Sequence, residues 1–288
     1  MMEELLRELK RLNSTLERIA DALSPVLDES VLDKYVAFRV TVLQGRLSLK
    51  GIEQPEPITF EELKGIEHAL ERLKTNTLQF LKGLPSNHVL LYGPRGVGKS
   101  SSVRALLNEY SPEGLRLVEV HKKDLFLLPE LLSILKKRKE RFIIFTDDLS
   151  FDREDSSFRE LKAMLDGGIE RHPENILFYA TSNRRHLMPE SVTDNLPQDI
   201  NGELHPSESL EERISLSDRF GLRIGFGQFG PDTYLDIVKN YVRLRKIDIS
   251  EDELKRLALQ WALSRGNYSG RTARQFVDNL EGQRRLNE

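Results

Sequence analysis

The sequence contains no cysteine, which excludes disulfide staples, thiolate metal sites and cysteine nucleophiles together. It also lacks a surplus of either charge. Its 43 basic and 46 acidic side chains leave a formal net charge of −3, so bulk electrostatics selects no nucleic-acid partner and leaves room only for local basic patches. The six histidines are scattered without a paired metal-ligand spacing. No apolar run approaches membrane-spanning length, and the start, Met1-Met2-Glu3-Glu4, has neither the basic region nor the apolar stretch of a secretory signal. The expectation is a soluble cytoplasmic protein with no membrane contact. At 288 residues the chain is long enough for one large domain or two modest ones.

Three regions are expected. In residues 1–57, Leu5, Leu9, Leu12, Leu16, Ile19 and Leu23 are spaced four, three, four, three, four, which suits either a coiled-coil seam or an amphipathic helix packed on its own domain. A second helix is predicted over Val31 to Leu43, and Gly51 to Pro57 reads as a linker. In residues 58–230, helical patterns at Glu61 to Leu81, Leu125 to Lys139 and Phe158 to Ile169 alternate with short apolar runs. Those runs are His88 to Tyr92, Leu115 to Val120, Arg141 to Asp147, Asn175 to Ser182 and Gly221 to Phe226. The alternation predicts an α/β fold, a parallel sheet sandwiched by helices. Glu190 to Pro206 reads as a long loop. In residues 231–288 the strands stop and three amphipathic patterns predict a small helical lid.

Between the first run and the helix after it lies Gly93 to Ser100, GPRGVGKS, which fits the phosphate-loop pattern G-x-x-x-x-G-K-[ST] at every fixed position. Such a loop wraps a polyphosphate because glycines allow close backbone approach, successive N–H groups point inward, and the helix N-terminus carries partial positive charge. Pro94, Arg95, Gly96, Val97 and Gly98 form the expected cradle, with Ser101 following them. Lys99 is expected on the β and γ phosphates and Ser100 on Mg²⁺. The run at Arg141 ends in Asp147-Asp148, with Asp147 expected to hold the metal and Asp148 to orient or deprotonate a water. The same pair at a strand end also suits a helix cap. Asn183 follows the next strand, where it either positions that water or shapes a turn.

The ordered strings GPRGVGKS, FIIFTDD, YATSN, Ser217-Asp218-Arg219-Phe220-Gly221 and Ser269-Gly270-Arg271 resemble those of AAA+ P-loop ATPases. The longer strings FLKGLPSNHVLLYGPRGVGKSS, FTDDLSF, ATSNRRHL and SLSDRFGL look like the bacterial ATP-binding group known as domain of unknown function 815, over roughly Phe60 to Leu280. The resemblance implies Walker A, Walker B and sensor 1 roles for the three motifs above. It further implies an arginine finger at Arg219 acting on a neighbouring subunit's ATP, with Arg213 as a rival. Sensor 2 falls at Arg271 with Arg274, and the adenine pocket at Ile66. An ordinary surface charge is the other reading of each arginine.

Two departures bear on function. Asp148 stands where many such ATPases have Glu. His121 to Phe126 lacks the aromatic loop of threading unfoldases, which disfavours a protein-threading motor. Lys136, Lys137, Arg138, Lys139 and Arg141 form a basic cluster, joined by Arg184-Arg185, that suits either a phosphate backbone or a solvated helix end. The resulting expectation is a homo-oligomeric ATP hydrolase that uses Mg-ATP between subunits to remodel or load a protein or nucleic-acid client. The alternative is an ATP-gated adaptor or loader with little hydrolysis.

Overall fold

The computed structural model describes residues 7–15, 29–43, 45–151, 157–166, 172–183, 187, 198–200, 203–205 and 216–286. The first of these stretches is helical (α1, residues 7–15) and solvent-exposed throughout, with Leu9 and Leu12 each 59% exposed. The remaining seam positions, Leu5, Leu16, Ile19 and Leu23, lie outside the described residues.

The predicted helix over Val31 to Leu43 is corrected. Only Val31–Lys34 (α2) is helical, and the chain then forms a hairpin from Ala37–Leu43 (β1) and Arg46–Gly51 (β2). The reason lies in period-two alternation. Phe38, Val40, Leu47 and Leu49 are buried on one face while Arg39 and Lys50 are exposed. The hairpin is not a separate unit, because β1 pairs in parallel with Leu115–Glu119 (β4) and extends the main sheet.

That sheet has seven strands in the order β2-β1-β4-β5-β6-β3-β9. The others are Val89–Tyr92 (β3), Arg141–Thr146 (β5), Ile176–Ser182 (β6) and Leu222–Gly225 (β9). All pairings except β1 with β2 are parallel. Buried on both faces, the central strands are nearly continuous apolar runs. Ile143 and Phe145 of β5 join the core beneath Glu67–Leu81 (α3) and Lys99–Tyr110 (α4), while Phe142 and Ile144 join the core beneath Leu128–Leu135 (α5) and Ser157–Asp166 (α6). The expected α/β P-loop architecture with helices on both faces is therefore present.

Several boundaries differ from expectation for local reasons. The predicted helix at Glu61 begins only at Glu67, whose carboxylate accepts the Gly65 N–H at 3.1 Å, after a 3₁₀ turn at Phe60–Glu62. The predicted helix over Leu125 to Lys139 is a 3₁₀ turn, Lys122–Leu127, followed by α5 with Pro129 in its first turn, where a missing N–H costs nothing. Within the predicted loop at Glu190 to Pro206, Gln198–Ile200 (β7) and Glu203–His205 (β8) pair antiparallel.

The C-terminal lid consists of Pro231–Leu244 (α7), Glu251–Arg265 (α8) and Gly270–Leu286 (α9). Tyr234, Ile237, Val238 and Tyr241 meet Leu254, Ala258, Ala273, Phe276, Val277 and Leu280 in one core continuous with that under α3 and α4. The Tyr234 hydroxyl donates to Ala258 O at 3.1 Å. Ser250 caps α8 by accepting the Glu253 N–H.

Candidate functional site: a phosphate-loop cleft beneath the lid

Strands β3, β5 and β6 are adjacent and parallel, so their C-terminal ends open side by side into one crevice, the usual ligand position in such sheets. From β3 the chain enters Gly93 to Gly98 and turns directly into α4, whose first residue is Lys99. Gly96 and Gly98 hold positive φ, +77° and +103°. A Cβ on either would crowd its neighbours, coming within 3.0 Å of Ser269 Oγ at Gly96 and 3.1 Å of Ile66 Cδ1 at Gly98. The loop is thus pressed between the lid and the segment that precedes α3.

Lys99 is 6% exposed, and its Nζ donates to Gly93 O and Pro94 O at 2.7 Å and to Asn183 Oδ1 at 3.0 Å. Burial lowers its pKa from the ordinary lysine value; Asp147 and Asp148 oppose that shift, and Arg271 and Arg95 add to it. Three cations and two carboxylates therefore converge at the loop.

The two acids follow β5. Ser100 Oγ and Thr181 Oγ1 each donate to Asp147 Oδ1 at 2.5 Å. Asp148 adopts a left-handed backbone, φ +53°, and its N–H donates to Thr181 Oγ1 at 2.9 Å. The Asn183 amide donates to Asp148 Oδ1, and Arg95 lies 3.7 Å from Asp148 Oδ2. Asn183 thus bridges Lys99 and Asp148, as the position of β6 between β3 and β5 requires. Ser100 and Asp147 present hard oxygen donors side by side, a pair suited to Mg²⁺, which takes few protein ligands and completes its shell with phosphate and water oxygens.

The cleft, about 620 Å³, also has an apolar lining of Ile58, Leu63, Ile66, Phe229, Ile237 and Tyr241, with Glu56, Arg104 and Arg274 among its polar residues. Ile66, the residue expected at the adenine pocket, lines the cleft beside Gly98. Pro94 lies at the loop's entrance, whereas Arg95, Gly96, Val97, Gly98 and Ser101 line the cleft. From the lid, Arg271 faces it and its N–H donates to Gly96 O at 3.2 Å. Arg274 also lines it, but its Nη1 meets Glu56 Oε1 at 2.7 Å.

Arg219 is not brought into this cleft. It precedes β9 and so lies at the opposite, N-terminal edge of the sheet, where Nε donates to Asp166 Oδ1. There it lines a second cavity with Arg141, His88 and His172. Arg213, Arg184 and Arg185 lie outside the described residues. Within the basic cluster, Arg138 pairs with Asp33 and Glu140, and Arg141 stacks over Phe80 and donates to Glu174 O, which accounts for two of its charges inside the fold.

Sequence reasoning missed Thr181 and Glu56. Thr181 stood in the string ATSN, and its signal was the threonine preceding Ser182-Asn183. Glu56 lay between two prolines in the supposed linker. That segment is in fact pinned by Asn108, whose Nδ2 donates to Glu56 O and Ile58 O at 2.9 and 2.8 Å.

Comparison with known proteins finds distant relatives and a family. The Replication factor C large subunit of Nanoarchaeum equitans is 24% identical over 229 residues, covering 78% of this chain and 45% of that protein. The ESX-1 secretion system protein EccA1 of Mycobacterium leprae is 25% identical over 242 residues, covering 76% and 41%. The chain spans less than half the length of these curated relatives. Among solved structures, the Thermotoga maritima RuvB Holliday junction branch migration motor is 15% identical with a TM-score of 0.45, covering 78% of this chain and 72% of that one. Residues 33–284 match the family described as Protein of unknown function (DUF815), and the chain belongs to that family, among the AAA+ ATPases.

Proposed function

We propose that the protein binds Mg-ATP in the phosphate-loop cleft, hydrolyses it at sites completed by a neighbouring copy, and uses the cycle to remodel or load a macromolecular client. The single observation that carries this reading is the placement of Lys99, Ser100, Asp147, Asp148 and Asn183 around one crevice, while Arg219 stands at the far edge of the same sheet. Parallel strands put those two edges on opposite sides of the subunit, so Arg219 reaches an ATP only in trans.

In this reading the loop N–H groups and Lys99 bind the phosphates, and the apolar lining of the cleft takes the base. Lys99 leaves its carbonyl partners for phosphate oxygens. Ser100 and Asp147 would hold Mg²⁺, which neutralises phosphate charge when bound. Asp148 orients the attacking water and accepts its proton, and Asn183 fixes the Asp148 carboxylate. Arg271 meets the phosphates from the lid, and the partner's guanidinium stabilises charge on the transferring group. Exposed Leu9 and Leu12 on α1 offer a seam to a partner helix. In the described residues no helix is long and apolar enough to cross a membrane, which fits a proposed cytoplasmic site of action.

The testing experiment is ATP turnover per subunit across a protein concentration series. The account expects turnover to rise with concentration in the parent and to be lost in Arg219→Ala. Turnover independent of concentration and unaltered in Arg219→Ala would overturn the trans finger.

One observation favours a second reading, the ATP-gated adaptor. The short Asp148 side chain is already engaged by Asn183 and approached by Arg95, which restrains it as a base. Tight ATP binding without multiple turnover, at any protein concentration, would select this reading.

A further inference from the structure

Glu56 belongs to the strap that leads from β2 into the nucleotide-binding core, and its carboxylate joins two elements, the helix that follows the phosphate loop and the last helix of the lid. Its Oε2 accepts from Arg104 Nη1 at 3.0 Å, on the helix that begins in the phosphate loop. Its Oε1 accepts from Arg274 Nη1 at 2.7 Å, on lid helix α9. The backbone carbonyl of the same residue accepts from Asn108 of α4 at 2.9 Å, so the strap is fixed to the core independently of the carboxylate.

Arg271 and Arg274 lie one turn apart on α9 and share a face. The helix is held at its first turn by Arg271 N–H on Gly96 O, at 3.2 Å, and at its second by Glu56. Buried Ala273, Phe276, Val277 and Leu280 seat α9 in the lid core; the two polar attachments act on its cleft-facing side, at the first two turns. We propose that Glu56 is a positioning residue for nucleotide binding: acting through Arg274, it anchors the cleft-facing side of the first two turns of α9, from which Arg271 is aimed at the phosphate end of the cleft. This rests on the reading of Arg271 as a phosphate contact.

The proposal makes a counterintuitive prediction. Glu56 is an acid lining a polyphosphate site, so simple charge addition says that its removal tightens ATP binding. Positioning says that removal weakens it. Stability does not confuse the comparison, since Glu56, Arg104 and Arg274 are 36%, 36% and 42% exposed in their side chains and pairs that exposed contribute little to folding.

The test measures ATP and AMP affinity with Mg²⁺ by calorimetry on the full chain, with urea midpoints alongside. Glu56→Gln is expected to weaken ATP about tenfold, a normal coupling between contacting groups. AMP, which lacks the outer phosphates, is expected to change less than about twofold, and the urea midpoint is expected to stay in place. Arg274→Gln gives the same loss, and the double variant is no weaker than either single one. Unchanged or tighter ATP binding in Glu56→Gln overturns the proposal, as do equal losses for ATP and AMP or losses that multiply in the double variant. Arg271→Ala separates the two layers. Unaltered ATP affinity there removes the phosphate contact itself, and the proposal with it. A loss there beside an unaltered Glu56→Gln removes only the relay through Glu56.

Discussion

Thr181 stands between the two acids of the site: its hydroxyl donates to Asp147 Oδ1 at 2.5 Å and accepts the Asp148 N–H at 2.9 Å. One hydroxyl on β6 therefore sets both the direction of the Asp147 carboxylate and the left-handed turn at Asp148. Thr181→Val keeps the shape and removes both bonds. It is expected to cost about 1–3 kcal/mol of stability, because the Asp148 N–H loses its partner, and to weaken the Mg²⁺ dependence of ATP binding. Thr181→Ser is expected to retain both. Urea unfolding and ATP titrations with and without Mg²⁺ check the pair.

Lys99 yields a binding prediction and a pH prediction. Lys99→Ala is expected to weaken ATP by roughly a hundredfold or more, the scale of removing a buried charged partner, whereas Asp148→Asn keeps binding. Burial holds the Lys99 pKa below the ordinary lysine value in the free protein. The charged form binds phosphate, so affinity is expected to fall as pH rises, beginning at a lower pH than an exposed lysine would give. Affinity flat through the alkaline range would contradict the assignment.

At the opposite edge of the sheet, His88 Nδ1 accepts the Phe178 N–H at 3.0 Å and its ring packs edge-on against His172 at 4.6 Å between centroids. Burial, then His172, pushes the His88 pKa down to about 3 from 6.5. The unfolded chain therefore binds a proton that the folded one refuses between those values. His88 costs nothing above pH 6.5, and stability falls by up to about 1.4 kcal/mol per pH unit as pH drops from there toward 3. His88→Asn is expected to flatten that slope, measured as urea midpoints over pH 4 to 7.

The polar knot behind β6 gives a structural prediction. Tyr179 is wholly buried, with its hydroxyl 3.0 Å from Asn76 Nδ2 and 2.9 Å from Thr77 Oγ1. Tyr179→Phe leaves both without that partner and is expected to cost about 1–2 kcal/mol, with ATP affinity unchanged. A urea curve and an ATP titration on the same sample read both.

How much of this was legible in the sequence differs by element. The central strands were legible because strands covered on both faces are uninterrupted apolar runs, as in Phe142 to Phe145. The phosphate loop and its acids were legible because their chemistry tolerates few residue types. Strand β1 falls inside the stretch predicted as helix, Val31 to Leu43, although Phe38 and Val40 alternate with Arg39, because α2 before it begins with a helical pattern. Glu56 was illegible for a different reason. Its partners, Arg104 and Arg274, are distant in sequence, and only the folded lid brings them together. Thr181 looked like an ordinary strand-end threonine until the register of β6 beside β5 placed it under Asp147 and Asp148.

The central claim, that each ATP site is completed by a second subunit, is tested most directly by mixing two inactive variants. Lys99→Ala lacks the phosphate contact but keeps Arg219; Arg219→Ala keeps the cleft but lacks the guanidinium. The account predicts that each alone turns over no ATP and that the mixture recovers a fraction of parental turnover. A mixture no more active than its components, or an Arg219→Ala variant as active alone as the parent, would contradict it.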